Sequence, residues 1–371
     1  MERIGIFGGS FDPVHFEHIA VAKSAVKDLF LDALYVMPTF RSPHKSGLTA
    51  TPEDRLNMLK AAFDGCEKII VSDYEIKKQG VSYSYLTVLD FKKSYPDAKL
   101  FFIMGSDMLS SFSEWKNPAV IAGNASLVLA SREGDGCNDE KAIESAKKLY
   151  GAEIFKISYK GADVSSSKIR VYSALGLDIS AFTPESVCDY IEKGEFYGGD
   201  KYYAFVRSAL TEKRLIHTAG VILTAVKLAK ILGENTQKAE LAALLHDVCK
   251  YKTEKDYPQC GLPENCPEDV KHQFLGAYVA ETVLKITDPD VLNAIRYHTT
   301  GRARMSALEK IIYVADMIEP SRRYAGVDDI RNAVSKDFYS GFKFAAEEVI
   351  KFLTEKGSPV YYLTLDAAKY N

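Results

Sequence analysis

The stretch Gly8-Gly9-Ser10-Phe11-Asp12-Pro13-Val14-His15-Phe16-Glu17-His18 decides how the first half of the chain is read. It follows a short apolar run, Ile4-Gly5-Ile6-Phe7, which reads as a buried parallel strand. It leads into Ile19-Ala20-Val21-Ala22-Lys23-Ser24-Ala25-Val26, good material for the core face of a helix. The order is therefore strand, glycine turn, helix. Gly8 and Gly9 let backbone N–H groups approach a ligand with no Cβ in the way. The helix aims its positive end at the same spot, which suits a phosphate. His15 and His18 share a face if both lie on the first helical turn, and can then grip one phosphate group together. Nothing here supplies a covalent nucleophile. The chemistry indicated is positioning and charge stabilisation on phosphoryl oxygens.

Further along, Ala33 to Pro38 reads as a second buried strand that runs into the loop Thr39-Phe40-Arg41-Ser42-Pro43-His44-Lys45. Lys45 is a mobile cation suited to a triphosphate. Thr51 and Pro52 mark a helix start. More strands are expected at Ile69–Ser72, Leu100–Met104, Ser126–Ala130 and Ile154–Ile157, with Gly105 turning the chain after the fourth. The only tryptophan, Trp115, sits in a polar segment beyond that turn, where it can stack on a flat ring as well as pack in a core. Val164-Ser165-Ser166-Ser167-Lys168-Ile169-Arg170 offers capping hydroxyls and free N–H groups at a helix start, with Arg170 in reach of the same pole. Strands alternate with helices, so an α/β doubly wound parallel sheet is expected.

The joint pattern G-x-F-D-P-x-H-x-x-H resembles the phosphate-binding motif of the nucleotidyltransferases with a Rossmann-like fold. Ser10 stands where many members have Thr, and the hydroxyl is kept. The serine turn is similar to that family's second motif, which holds the triphosphate. Pro43-His44-Lys45, Ser82-Tyr83-Ser84, Gly105-Ser106-Asp107 and Trp115 look like nicotinate-nucleotide adenylyltransferase. The resemblance implies transfer of AMP from ATP, with Mg²⁺ on the triphosphate, to nicotinate mononucleotide. It implies charge stabilisation by His15, His18 and Lys45, and ATP or substrate contacts from Gly8, Gly9, Ser10, Phe11, Ser84, Gly105, Asp107, Trp115, Ser166, Ser167 and Arg170. Trp115 would stack on the pyridine ring, and the backbone around Ser84 would face its carboxylate. Leu86 departs from the family, which usually has Asp there.

A chain of 371 residues is too long for one typical core, so two domains are expected. The Gly194-Glu195-Phe196-Tyr197-Gly198-Gly199-Asp200 stretch is the candidate linker, giving domains 1–197 and 201–371. Hydrophobic residues make up 47%, charged residues 26%, and the net charge is −3, so neither nucleic acid nor membrane is an expected partner. No run is expected to span a bilayer, and the chain opens on a strand with no signal-peptide pattern. Six cysteines show no C-x-x-C pair, which suits reduced thiols in a cytoplasm. A homo-oligomer is compatible with the sequence.

Past the linker the strand signal fades and helical periodicity takes over, as in Ala239–Leu245 and Leu308–Ala315, so an all-α bundle is expected. Every histidine of this half falls in one ordered series: His217, His246-Asp247, His272, His298 and then Asp316. The series resembles the HD-domain phosphohydrolases, in a form suited to two metals. By that pattern His217, His246, Asp247 and Asp316 hold one ion, and His272 and His298 the second, with Asp247 bridging. Iron comes first as the dinuclear metal, with manganese or zinc also suited to these donors. The surrounding segments, among them Thr299-Thr300-Gly301-Arg302, are similar to the bacterial HD family of symmetrical diadenosine tetraphosphatases, which cut Ap4A to two ADP. Lys250, Arg302 and one of Arg322 or Arg323 are then candidate phosphate contacts. The alternatives are a (p)ppGpp or deoxynucleotide phosphohydrolase, and a nucleotide-binding regulatory module.

Overall fold

The structure is a computed structural model that describes residues 1–41, 49–132, 140–159 and 164–371, with backbone alone for Ser106, Asp107 and Arg132. It divides into two compact units: Met1–Arg170 with Asp178–Tyr197, and Val171–Leu177 with Gly198–Asn371.

The first unit is built on six strands, β1 (Arg3–Gly9), β2 (Ala33–Pro38), β3 (Ile69–Val71), β4 (Lys99–Gly105), β5 (Ser126–Arg132) and β6 (Ile154–Tyr159). All neighbours pair in parallel, in the order β3-β2-β1-β4-β5-β6. The chain winds outward one way from β1, returns to the centre at β4, and winds the other way. The central strands are apolar along their length: Ile4 and Ile6 of β1 and Phe101 of β4 have no exposure, because helices cover both faces. The reversal between β1 and β4 leaves a crevice outside their carboxyl ends, the usual ligand position in such a sheet. Gly8, Gly9 and Gly105 lie at those ends. The helix Pro52–Ala62 begins as its sequence predicts. Thr51 Oγ1 accepts from Asp54 N at 3.2 Å, and Asp54 answers Thr51 N at 3.3 Å.

Among the described residues, the second unit holds no strand. Nine α-helices form it, including Glu212–Leu232, Thr236–Leu245, Lys271–Thr282, Pro289–Arg296 and Ala307–Ile318, which carry or flank the histidine series. Alanines at 219, 225, 242, 243, 277, 294 and 315 have no exposure, and their small side chains let the helices approach closely. Three helices are additional to the periodicity read from sequence: Lys201–Ala209, Val327–Lys336 and Tyr362–Lys369.

Two expectations need correction. Glu212–Leu232 is long and apolar enough, by length and composition, to cross a membrane, against the reading that no run is. Half of its apolar window is buried inside the bundle, and it carries His217, so it is a core helix here. The glycine-rich stretch is also less loose than a free linker: Tyr197 is buried, and its hydroxyl donates to Asp12 at 2.6 Å within the first unit.

Candidate active sites

The first site forms at the end of β1. Open space surrounds the Cα of Gly8, whereas a Cβ on Gly9 would meet the Phe11 ring at 2.9 Å. That ring is buried and packs edge-on against Phe7 and His18, so Phe11 shapes the turn by packing and has only its backbone to offer a ligand. His15 is the N-cap of the helix Phe16–Asp28 and His18 is its third residue. Their rings stack with centroids 3.7 Å apart, and His15 N donates to His18 Nδ1 at 3.3 Å. Both imidazoles therefore stand on the first helical turn, beside the crevice.

Braces converge on this turn from distant parts of the chain. Arg55, 1% exposed, donates to Ser10 O at 2.7 Å and Thr39 O at 2.6 Å. The Asp12 carboxylate accepts from Thr49 N, Ala50 N and Tyr197 Oη. Burial, then the Asp12 charge, pushes the Tyr197 phenol well above its ordinary range, so it stays a donor. From the serine turn, Ser166 Oγ donates to Pro13 O at 2.9 Å and Arg170 to Asp12 O at 2.6 Å. Arg170 also donates to Ser167 Oγ at 3.1 Å. The two motifs, far apart in sequence, thus meet.

Trp115 is half-buried, edge-on to Phe102 and tilted on Phe112. Ser84 begins the helix Ser84–Ser94, whose N-cap Tyr83 has no capping side-chain hydrogen bond. Gly105 ends β4. Lys45 and the Asp107 side chain lie outside the described residues.

The second site gathers six residues: His217, His272 and Asp316 from three helices, and His246, Asp247 and His298 from the turns that follow Thr236–Leu245 and Pro289–Arg296. Asp247 stands at the centre. Its Oδ2 lies 3.5 Å from His246 Nε2 and 3.9 Å from His217 Nε2, while Oδ1 lies 3.2 Å from His272 Nε2 and 3.6 Å from His298 Nε2. Asp316 Oδ1 is 3.0 Å from His217 Nε2 and 4.0 Å from His246 Nε2. Three histidines turn their other nitrogen outward. His246 Nδ1 meets Ala243 O at 2.7 Å, His298 Nδ1 meets Ile295 O at 2.8 Å, and His217 Nδ1 meets Glu319 Oε1 at 3.0 Å. Outer acceptors of this kind leave a lone pair on each inner Nε2, the state a metal ligand needs.

Burial lowers the pKa of His246 and takes His272 down to about 4, so both stay neutral. His217 is raised: burial opposes its charge, but Asp316 and Glu319 outweigh that. Burial also works against the Asp247 charge, yet the imidazoles around it hold its carboxyl well below the usual range. His246 Nε2 and Asp247 Oδ1 are buried without an aligned hydrogen-bond partner. Donor atoms of His217, His246 and Asp316, and of His246, Asp247 and His298, lie within 4.8 Å of one another. The donor set fits divalent metal ions.

Cations surround the cluster. Lys250 Nζ lies 3.1 Å from His272 Nε2, and Arg214 donates to Asp247 Oδ2 at 2.7 Å. Arg322 pairs with Asp316, whereas Arg323 turns to the carbonyls of Pro320 and Arg322. Arg302 does not reach the cluster with a free fork: it binds the buried Glu309 bidentately at 2.8 and 2.7 Å and covers the Tyr297 ring. Sequence reasoning missed Arg55, Arg214, Glu319 and Gln273. Gln273 is fully buried, and its amide holds Thr299 N, Thr300 N and Thr300 Oγ1 beside His298. Arg214 had a legible signal, since it stands one helical turn before His217.

Comparison with known proteins finds relatives for each half of the chain. The cytidylyltransferase-like family matches residues 6–171, and the HD domain family matches residues 214–321. A Mycoplasma pneumoniae protein named "Probable nicotinate-nucleotide adenylyltransferase/Ap4A hydrolase" is 30% identical over 321 residues, covering 85% of this chain and 88% of its own length. A Bacillus subtilis "Bis(5'-nucleosyl)-tetraphosphatase, symmetrical" is 39% identical over 165 residues, 43% of this chain and 89% of that protein. A Thermotoga maritima "Probable nicotinate-nucleotide adenylyltransferase" is 41% identical over 200 residues, 53% of this chain and 93% of that protein.

Proposed function

We infer two activities for this chain, which belongs to the family of proteins that join a nicotinate-nucleotide adenylyltransferase to an Ap4A hydrolase. The first unit transfers AMP from ATP to nicotinate mononucleotide. A phosphate oxygen of the mononucleotide bonds to the α-phosphorus, the bond from that phosphorus to the β-phosphate breaks, and pyrophosphate leaves. The observation that carries this reading is the stacked His15–His18 pair on the first helical turn outside β1. Those imidazoles, the N–H groups of the glycine turn and the positive end of the helix Phe16–Asp28 are arranged to stabilise phosphoryl charge. Arg55, Tyr197, Arg170 and Ser166 hold the turn in shape, and we assign Lys45 and Mg²⁺ to the triphosphate. Gly105 is assigned to the nucleotide crevice, with Asp107 as a further candidate contact, while Trp115 and the start of Ser84–Ser94 select the pyridine ring and its carboxylate.

The second unit hydrolyses Ap4A symmetrically. A water oxygen bonds to a phosphorus beside the central bridging oxygen, the bond between them breaks, and two ADP leave with loss of a water proton. The HD domain implies divalent metal binding, and the two-sided contact of Asp247 supports a pair of ions. When bound, such ions supply activation of the water and a clamp on the anhydride. His217, His246, Asp316 and Asp247 would hold one, and Asp247, His272 and His298 the other. Iron is proposed first, since mixed imidazole and carboxylate donors suit it; manganese fits the same set. Lys250 and Arg214 stand ready to take phosphate charge, and Arg302 serves through Glu309 to fix the segment after His298. Nucleotide substrates and five free thiols among the described cysteines support a cytoplasmic setting.

Incubating the full chain with ATP and nicotinate mononucleotide should yield nicotinate adenine dinucleotide and pyrophosphate, and with Ap4A only ADP. ATP plus AMP from Ap4A would mean asymmetric attack and would overturn the substrate alignment.

A further inference from the structure

His217 differs from the other histidines whose outer nitrogen is paired. His246 and His298 each offer Nδ1 to a neutral backbone carbonyl three residues earlier in the chain, whereas His217 offers it to the carboxylate of Glu319, 102 positions away. That carboxylate is not a chance neighbour. Glu319 is 1% exposed and its side chain is held by Ser321 N at 2.7 Å and by Ser321 Oγ. Room for it is made by Gly220, one turn after His217, where a Cβ would overlap Glu319 Oε2. Burying an anion is costly unless its oxygens are satisfied, so a site built around one implies a use. The two sides of Asp247 also differ in carboxylate donors: His217 and His246 have Asp316 beside them, itself paired with Arg322, while His272 and His298 have no second carboxylate among their ion-pair contacts.

We propose that Glu319 is a positioning residue that makes the metal position at His217, His246, Asp316 and Asp247 the tighter of the two, so that this position fills first. The proposal rests on the two-metal reading above. A carboxylate on Nδ1–H keeps the proton there, leaves the Nε2 lone pair facing the cluster, and raises the basicity of the ring as a ligand. The position at His272 and His298 has neither that support nor a second anion, and so loads later.

The test is a Co²⁺ titration of the full chain after chelator dialysis, followed by visible absorption and calorimetry. Wild type should bind two ions in separate steps with Kd values at least about tenfold apart, and His272→Ala should keep only the tight step. Glu319→Gln preserves size and an acceptor but removes the charge. It should weaken the tight step by roughly 10–100-fold, as loss of such outer partners does, and leave the weak step within about threefold. A merely structural role would move both steps together. One step with two equivalent ions in wild type, or an unchanged tight step in Glu319→Gln, overturns the proposal while the two-metal reading survives. Wild type that takes up no Co²⁺ overturns both. Should Glu319→Gln fail to fold, Ser321→Ala, which removes the hydroxyl bond to the Glu319 carboxylate, should weaken the tight step and not the weak one, and an unchanged tight step there overturns the proposal.

Discussion

Asp247→Ala is the change to which the second site is most sensitive. The carboxylate is 2% exposed and faces four imidazole Nε2 atoms, two from each oxygen, at 3.2–3.9 Å. Arg214 and Lys250 also point at it, at 2.7 and 3.6 Å. A ligand shared by two ions is lost from both positions at once. Removing even an outer partner of a ligand costs roughly 10–100-fold in metal affinity. If each position loses at least that much, the doubly loaded population falls by about 10²–10⁴, and Ap4A hydrolysis falls with it. Without metal, the change leaves Arg214 and Lys250 short of their buried anion. Breaking a buried pair costs about 3–5 kcal/mol, and the lower end applies here because both cations reach solvent. Metal content by elemental analysis, ADP by chromatography and a thermal scan of the metal-free protein measure the three effects. Nicotinate-nucleotide adenylylation should be unchanged. Hydrolysis at the wild-type rate, or retention of both ions, would refute the assignment of Asp247 as the shared ligand.

His18→Ala should lower kcat for adenylylation about a hundredfold or more and also lower Tm somewhat, since the ring accepts from His15 N at the helix start and packs on Phe11; near-normal turnover would make His18 structural. Nicotinate mononucleotide should be preferred to its amide, because a carboxylate on the N–H groups at Ser84 gains a charge-assisted bond worth about 1–3 kcal/mol. Comparison of kcat/KM decides this, with equal values counting against it. A fragment that starts at Gly199 should melt below the second transition of the full chain. It lacks Val171–Leu177, whose Ala174, Leu175 and Leu177 are buried in the core of the second unit; differential scanning calorimetry measures the gap, and an equal Tm would show that segment to be dispensable.

The sequence by itself determined the kind of unit in each half and picked out the histidines and aspartates that the second unit brings together. Strand, glycine turn and helix at residues 3–28 are specified by short-range patterns: an apolar run, two glycines, and a helical period. The histidine series was legible because imidazole and carboxylate are the residue types that bind such ions, and the bundle left few others to consider. Tertiary structure alone decided what supports them. Arg55 on Ser10, Tyr197 on Asp12, Arg170 on Asp12 and Glu319 on His217 pair across 45 to 185 positions. Such contacts leave no periodic trace, because each is made by one residue whose neighbours do something else. Arg302 shows the same limit from the other side: a cation beside a ligand segment reads as a phosphate contact until Glu309, two turns of chain away, is seen to hold its guanidinium. The chain passes between units after Tyr197, inside the glycine-rich stretch, but the earlier excursion of Val171–Leu177 has no signal in the sequence for a related reason. Glycines mark where a chain can bend, but membership of a unit is decided by which core a segment buries its side chains in, and Val171–Leu177 buries Ala174, Leu175 and Leu177 in the second.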